Sequence, residues 1–242
     1  MLGLPDDITA LLFDLDGVLT PTAEIHFKAW KQTFDEFLRD RDGDSFKEFS
    51  QEDYNEYVDG MSRFDGVRSF LKSRSIELPE GEEDDSGSGG EPTVHGLGNR
   101  KNDLVRELIE KDGVKPYEGS ARYVHAARDA GLSRAVVSAS ANCRPVLRSA
   151  GIEDLFDAII DGEVAKREHL AGKPHPDTYL AGARALGVEP SAAAVFEDAT
   201  AGVQAGHDGH FGFVVGVDRV DHAADLTAHG ADVVVQDLAD LL

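Results

Sequence analysis

Asp14 and Asp16 stand two residues apart at the end of an apolar run, the segment Ala10 to Thr20 reading ALLFDLDGVLT, and Gly17 forces a turn directly after them. A buried strand built from Leu11, Leu12 and Phe13 would not tolerate two acids inside it. They therefore belong at its carboxyl end, where open α/β sheets bind ligands. Residues two apart start on the same side of a strand, although glycine can redirect the second. One carboxylate can then attack phosphorus while the other, close by, moves a proton. Taken alone, the pattern fits a solvated Asp-Gly turn equally well.

Three further segments extend the set. Ala135 to Asn142, AVVSASAN, is a second β-branched run that ends in hydroxyl and amide groups, with Ser138 at its tip. A serine hydroxyl and the backbone amides that follow it, beginning at Ala139, can hold a phosphate oxygen, and a merely polar strand end is the alternative. In Gly172 to Asp177, GKPHPD, Lys173 is fixed between glycine and proline ahead of a helical run from Thr178 to Leu186. A lysine held there is a point charge for a phosphoryl group, whereas most loop lysines are only solvated. Ala192 to Asp198, AAAVFED, is a strand that ends in Glu197 and Asp198. Acid pairs at strand tips suit Mg²⁺, which prefers carboxylate and phosphate oxygens.

The elements that must position these groups alternate along the chain. Strand signals recur at Ala10 to Leu15, Arg134 to Ala139, Ala158 to Ile160, Ala193 to Phe196, Phe213 to Val217 and Asp232 to Val235, with helical patterns between most of them. This predicts an α/β fold with a Rossmann-like parallel-sheet core. Between Pro21 and Pro116 no strand of comparable strength occurs, and Glu24 to Leu38, Gly66 to Lys72 and Lys101 to Lys111 read as helices. Residues 1–20 and 117–242 are thus expected to form the core, and residues 21–116 an inserted α-helical cap. Hinges are expected near Thr20 to Thr22 and Lys115 to Gly119. Within the cap, residues 79–92, PEGEEDDSGSGGEP, combine acid, glycine and serine and read as a mobile loop. Its run Glu82 to Asp85 reads as a solvated surface in preference to a metal site.

At 242 residues the chain can bury a substantial core and carry one large domain with an insertion. Its 46 acidic against 24 basic residues give a net charge of −22. Such a surface repels nucleic acid and anionic membranes, so neither is expected as a partner. It also repels phosphorylated substrates, which makes a local positive site necessary. The acid excess fits a solubility or high-salt adaptation as well. No stretch approaches the roughly 20 apolar residues of a membrane span, and the first residues, MLGLPDDITA, lack the basic start and apolar core of a signal peptide. A cytoplasmic location and a monomeric state are expected. The single cysteine, Cys143, cannot form an internal disulfide and reads as a helix-packing residue.

In chain order the sequence offers DxD, Ser, Lys and ED, each at or just beyond a strand end. That order resembles the haloacid dehalogenase superfamily of aspartate-nucleophile phosphotransferases. Within it, TAEIHFKAWK from Thr22 to Lys31, Ser62 and Arg63 in GMSRFDG, and RKND from Arg100 to Asp103 resemble the cap segments of the β-phosphoglucomutase-like family. The resemblance covers nearly the whole chain. It implies a β-phosphoglucomutase activity, the interconversion of β-glucose 1-phosphate and glucose 6-phosphate through an aspartyl phosphate and a glucose 1,6-bisphosphate. Asp14 is then the nucleophile and Asp16 the acid and base. Mg²⁺ is held by Asp14, the backbone carbonyl of Asp16 and Asp198, with Glu197 in support. Ser138, Ala139 and Lys173 bind the transferring phosphate.

Among the cap and substrate residues the resemblance names Thr22, with His26 and Lys101 coupled to Asp16 as the cap closes and excludes water. It assigns Arg63, Ser140 and Asn142 to the second phosphate of a bisphosphorylated hexose. Two departures stand out: Ala141 replaces the usual lysine, and Pro21 the usual acidic hinge residue. A broad-specificity sugar-phosphate phosphatase and a catalytically silent sugar-phosphate binder are the other readings. His95, His125, His169, His175, His207, His210, His222 and His229 show no metal-ligand spacing and read as surface or capping residues.

Overall fold

The computed structural model describes residues 2–86 and 91–242. The chain divides into two compact units, Met1–Thr22 with Val114–Leu242, and Ala23–Gly113. The first carries a parallel sheet of β1 (Ala10–Phe13), β2 (Ser133–Val137), β3 (Ala158–Ile160), β4 (Ala193–Glu197), β5 (Phe213–Val217) and β6 (Val233–Val235), in the order β3-β2-β1-β4-β5-β6. The chain runs outward from β1 through β2 to β3, then crosses to β4 and runs outward the other way. The order therefore reverses beside β1, and the loops leaving β1 and β4 diverge there to leave a crevice at the carboxyl edge. Register reinforces this, because Phe13 lies opposite both Val136 and Phe196, so β1, β2 and β4 end level with one another.

Every residue of β1 is fully buried, as a strand covered on both faces requires. Alternation divides it between two layers. Leu12 joins Ala135, Val137, Val195 and Tyr179 on one face, where α8 (Asp177–Leu186) packs. Phe13 stacks on Phe196 with ring centroids 4.5 Å apart and meets Tyr123 of α5 (Glu118–Asp129) edge-on. Gly182 permits the close seat of α8, since a Cβ there would come within 2.6 Å of Leu12 Cδ2. The remaining connections are α6 (Cys143–Ser149), α7 (Gly162–Glu168), α9 (Thr200–Asp208) and α10 (Ala223–Ala228). Cys143 is buried at the start of α6, and burial, with Asp16, Asp161 and Asp14 adding to it, pushes its thiol well above the ordinary value.

The second unit consists of α1 (Thr22–Asp42, begun in the first unit), α2 (Gln51–Tyr57), α3 (Arg63–Ser73) and α4 (Val94–Asp112). Its core is aromatic: Trp30 stacks on Phe34 one turn on, and Phe34, Phe49 and Phe70 meet within 4.1–5.1 Å. The helix α2 escaped the periodicity reading because seven residues, QEDYNEY, carry little apolar pattern; a capping box between Ser50 and Asp53 starts it. The helix α4 begins seven residues before its sequence signal, despite Gly96 and Gly98. Gly98 is where α3 approaches, with Phe64 in the space a Cβ would fill.

The unit boundaries fall inside the expected 21–116 segment. Thr22 hydrogen bonds to Thr20 and Asp16, Val114 N donates to Ser149 Oγ, and Tyr117 N donates to Leu19 O, so both ends of that segment are tied to the sheet unit. The described part of the 79–92 segment is also hydrogen bonded. Val94 N and His95 N donate to Pro79 O and Glu80 O, Thr93 Oγ1 donates to Asp85, and Asn99 Nδ2 donates to the carbonyls of Glu83 and Asp85. Residues 87–90, the remainder of the expected mobile loop, lie outside the described residues. Among the described residues no helix is long and apolar enough to cross a membrane.

Asp53 ties the second unit together. Burial opposes its ionisation, but hydrogen bonds from Ser50 and the Arg74 guanidinium at 2.7 Å outweigh it and hold the carboxyl below its ordinary value. A carboxylate depressed in the folded state adds stability that is present above its unfolded value, near 3.8, and is lost as pH falls through the folded value. Asp53→Asn is expected to cost this unit about 1.5–3 kcal/mol at neutral pH. The cost is read as a lower urea midpoint followed through Trp30, the only tryptophan. The gap from wild type should narrow below about pH 4. A gap constant down to about pH 3 would remove the ion pair as its cause.

Candidate active site

The site is assembled from strand alternation. Asp14 follows Phe13 and so returns to the face of Leu12; Glu197 lies two residues beyond Val195 and shares the same face. Asp14 N donates to Phe196 O at 2.9 Å, which carries the ladder one residue past β1 and sets the two acids side by side. That is also the face of α8, and the loop entering α8 delivers Lys173, whose Nζ contacts both Asp14 Oδ1 and Glu197 Oε1. All three side chains are nearly or wholly buried. Asp14, Glu197 and Asp198 bring one carboxylate oxygen each to within 4.8 Å of one another.

Lysine is the charged partner of this group. Burial pulls the Lys173 ammonium down, and the Asp14 and Glu197 carboxylates outweigh it and hold it well above its ordinary value. For Asp14, burial pushes the carboxyl well above the usual range; Lys173 opposes this, and Glu197 and Asp16 add to it. Glu197 is held at both of its carboxylate oxygens. Its Oε1 accepts from Lys173 and from Tyr179 Oη at 3.0 Å, and its Oε2 from Ala199 N at 3.0 Å. Burial, reinforced by Glu197, keeps the Tyr179 phenol protonated as a donor.

Asp16 is half-buried on a tight turn. Gly17 N donates to Thr20 O at 2.8 Å, Thr20 N to Leu15 O at 3.0 Å, and Thr22 Oγ1 to Asp16 Oδ1. Gly17 adopts a φ of 83°, and its α-carbon lies so near Asp198 that a Cβ would overlap that carboxylate. Both the left-handed backbone and the absence of a side chain are therefore required here. The turn brings Asp16 near Asp14, while its side chain stands outside the three-carboxylate group.

At the tip of β2, Ser138 is buried and its Oγ accepts from Ser140 N at 3.1 Å; Ser140 Oγ in turn accepts from Asn142 N at 3.1 Å. Ala139 lies between them, and Gly162 leaves room for its carbonyl against the start of α7. In the second unit, Lys101 Nζ is 2.8 Å from His26 Nδ1 and 4.7 Å from the Trp30 ring centroid. Arg63 opens α3, with its guanidinium 4.7 Å over the Phe64 ring. Thr22, expected among the cap residues, belongs to the sheet unit through its bond to Asp16.

Three residues of the neighbourhood escaped the sequence reading. Tyr179 sits inside an apolar helical run, one turn from Gly182, and only the close packing of α8 on β1 aims it at Glu197. Arg219 and His222 follow β5, and their position just past a strand end was the available signal. Arg219 Nε donates to Gly17 O at 2.8 Å, and His222 Nε2 lies 2.9 Å from Asp198 O. His222, read from sequence as a surface or capping residue, holds the N-cap position of α10 without a side-chain cap bond, and its half-buried ring turns to Asp198 O instead, because the sheet order places β5 beside β4.

Comparison with known proteins is consistent across the chain. The family model for haloacid dehalogenase-like hydrolases matches residues 8–210. A protein named beta-phosphoglucomutase in Mycobacterium tuberculosis is 53% identical over 249 aligned residues, covering 100% of this chain and 94% of the relative. One of the same name in Bacillus subtilis is 32% identical over 96% of this chain and 91% of its own length. The crystal structure of beta-phosphoglucomutase from Clostridium difficile superposes with a TM-score of 0.76 at 28% identity, over 97% of this chain and 93% of that one.

Proposed function

Because the chain belongs to the haloacid dehalogenase-like hydrolase family, we propose that it is a β-phosphoglucomutase, interconverting β-glucose 1-phosphate and glucose 6-phosphate through a phosphorylated Asp14 and a glucose 1,6-bisphosphate. The observation that carries this reading is that the 53% identity runs over the whole chain, inserted unit included, and not over the sheet unit alone. The proposal includes a phosphorylated hexose as substrate, a monomeric state and a cytoplasmic location.

The residues fit a divalent cation. Asp14, Glu197 and Asp198 gather three buried carboxylates within 4.8 Å of one another, with Lys173 between Asp14 and Glu197, and acidic oxygens crowded together where burial makes negative charge costly suit a cation. A hard cation takes oxygen ligands, and Mg²⁺ would be held by Asp14, Asp198 and the Asp16 carbonyl. Bound there, it would neutralise charge on the transferring phosphoryl group. Glu197, with both oxygens already accepting, supports the site by holding Lys173.

The chain's own groups supply the rest. Asp14 attacks phosphorus in line and becomes an aspartyl phosphate. Lys173 and Ser138, with the amide of Ala139, hold the equatorial phosphate oxygens by position and charge. Asp16, oriented by Thr22, protonates the departing sugar oxygen and later deprotonates the incoming hydroxyl. Arg63, with Ser140 and Asn142, is assigned to the second phosphate, since a guanidinium makes paired contacts with phosphate oxygens. His26 and Lys101 are assigned to support Asp16 once substrate is bound.

Arg63→Ala tests the reading against hydrolysis. Losing a charge-assisted contact worth about 1.5–3 kcal/mol should lower mutase efficiency about ten- to a hundredfold, with Asp14 chemistry intact. The ratio of free phosphate to glucose 6-phosphate, measured with Mg²⁺ and trace bisphosphate, should rise as the mutase rate falls. If the wild type already releases mainly phosphate and the variant changes neither rate nor ratio, a sugar-phosphate phosphatase takes the mutase's place.

A further inference from the structure

The loop after β5, residues 218–222, touches both acid-bearing loops through their backbones. Arg219 Nε donates to Gly17 O, its Nη1 donates to Gln236 O at 2.7 Å and lies 3.5 Å from Asp237, and its guanidinium stacks 3.9 Å over the Tyr117 ring. The side chain is thus braced on three sides before it reaches Gly17. His222 makes the matching contact to Asp198 O through Nε2. A carbonyl only accepts, so Nε2 carries the proton that bonds Asp198 O, while Nδ1 lies 3.6 Å from Asp218 Oδ1, beyond hydrogen-bond reach. Asp218 shapes the loop, its Oδ1 accepting from Val220 N at 3.2 Å and His222 N at 2.9 Å.

The two carbonyls held in this way lie on either side of a contact with no slack. The α-carbon of Gly17 abuts the Asp198 carboxylate, and Gly17 N is already committed to Thr20 O. Fixing Gly17 O orients the peptide that follows the Asp16 to Gly17 turn. Fixing Asp198 O orients the backbone from which that carboxylate projects. We propose that Arg219 and His222 are positioning residues that clamp the DxDG turn against the Glu197–Asp198 turn and so preset the spacing of the carboxylates that bind Mg²⁺. Both hydrogen bonds end on backbone carbonyls, so the effect passes through the main chain. The inference rests on the metal assignment made above and is independent of whether the acceptor is a sugar or water.

The test is Mg²⁺ binding to the substrate-free protein by isothermal titration calorimetry, together with steady-state kinetics. Groups that orient metal ligands are typically worth about 10- to 100-fold in metal affinity, and Arg219→Ala and His222→Ala should raise the Mg²⁺ Kd within that range. The KM for sugar phosphate should stay within about twofold, and saturating Mg²⁺ should restore most of kcat, a split that general loosening of the fold would not produce. His222→Gln keeps a side-chain N–H able to donate to Asp198 O and should recover most of the affinity lost in His222→Ala. Unchanged Mg²⁺ Kd in both alanine variants would overturn the clamp. If Arg219→Ala does not fold, the histidine pair decides: Gln binding Mg²⁺ at least about fivefold tighter than Ala supports it, and equal affinities overturn it. A wild-type protein that binds no Mg²⁺ would overturn the metal assignment itself.

Discussion

Asn in place of Asp14 is expected to reduce turnover by at least about 10⁴-fold, because an amide neither attacks phosphorus usefully nor offers a charged oxygen to a cation. The change is nearly isosteric, and Lys173 keeps its contact with Glu197, so the buried ammonium is not stranded. The variant should therefore fold, which circular dichroism and gel filtration would verify. It should also form no acid-stable phosphoprotein when quenched after exposure to labelled bisphosphate. Residual activity within about tenfold of wild type would remove Asp14 as the nucleophile.

Asp16→Asn is expected to act differently. The turn that carries it is held by backbone hydrogen bonds among Leu15, Gly17 and Thr20, and its carbonyl is unaltered by the substitution. Mg²⁺ affinity should thus change little, while proton transfer to and from the sugar oxygen is lost. General acid and base catalysis is typically worth about 10²- to 10⁴-fold, and kcat should fall by that amount. Rapid quench should show the sugar-releasing half-reaction slowed with the phosphoenzyme still formed from an activated acyl phosphate donor, whose leaving group needs no protonation. An unchanged kcat at saturating substrate would reject the role.

The parts of the site that could be read from sequence are those where local chemistry contradicts local pattern. Asp14, Glu197 and Asp198 each terminate an apolar run that is buried on both faces, and Lys173 sits between a glycine and a proline, so each marks itself within a few residues. Their convergence follows from parallel strands ending level. Tyr179, Arg219 and His222 carry no such mark. Arg219 reaches Gly17 across 202 residues of sequence, and that proximity comes from the order β1-β4-β5 together with the length of a guanidinium side chain. The strands themselves were legible to within two residues at either end, because β-branched and aromatic runs between glycine and polar breaks have few alternatives. In the inserted unit the carboxyl ends of α3 and α4 were legible to within one residue, while their starts lie three and seven residues before the sequence signal. Those starts depend on Ser62 and Thr93 as N-terminal caps, and α2 depends on Ser50 and Asp53 more than on any apolar stripe.

The phosphoryl group itself gives the most direct test of the mutase reading. The wild-type protein is incubated with unlabelled β-glucose 1-phosphate, Mg²⁺ and a trace of glucose 1,6-bisphosphate carrying ³²P in its C1 phosphate only, and the label is followed in time through protein, hexose phosphates and inorganic phosphate. The account predicts label passing through Asp14 into hexose bisphosphate and glucose 6-phosphate, with inorganic phosphate a minor product throughout. Label from the bisphosphate appearing mainly as inorganic phosphate, with no labelled glucose 6-phosphate, would contradict it.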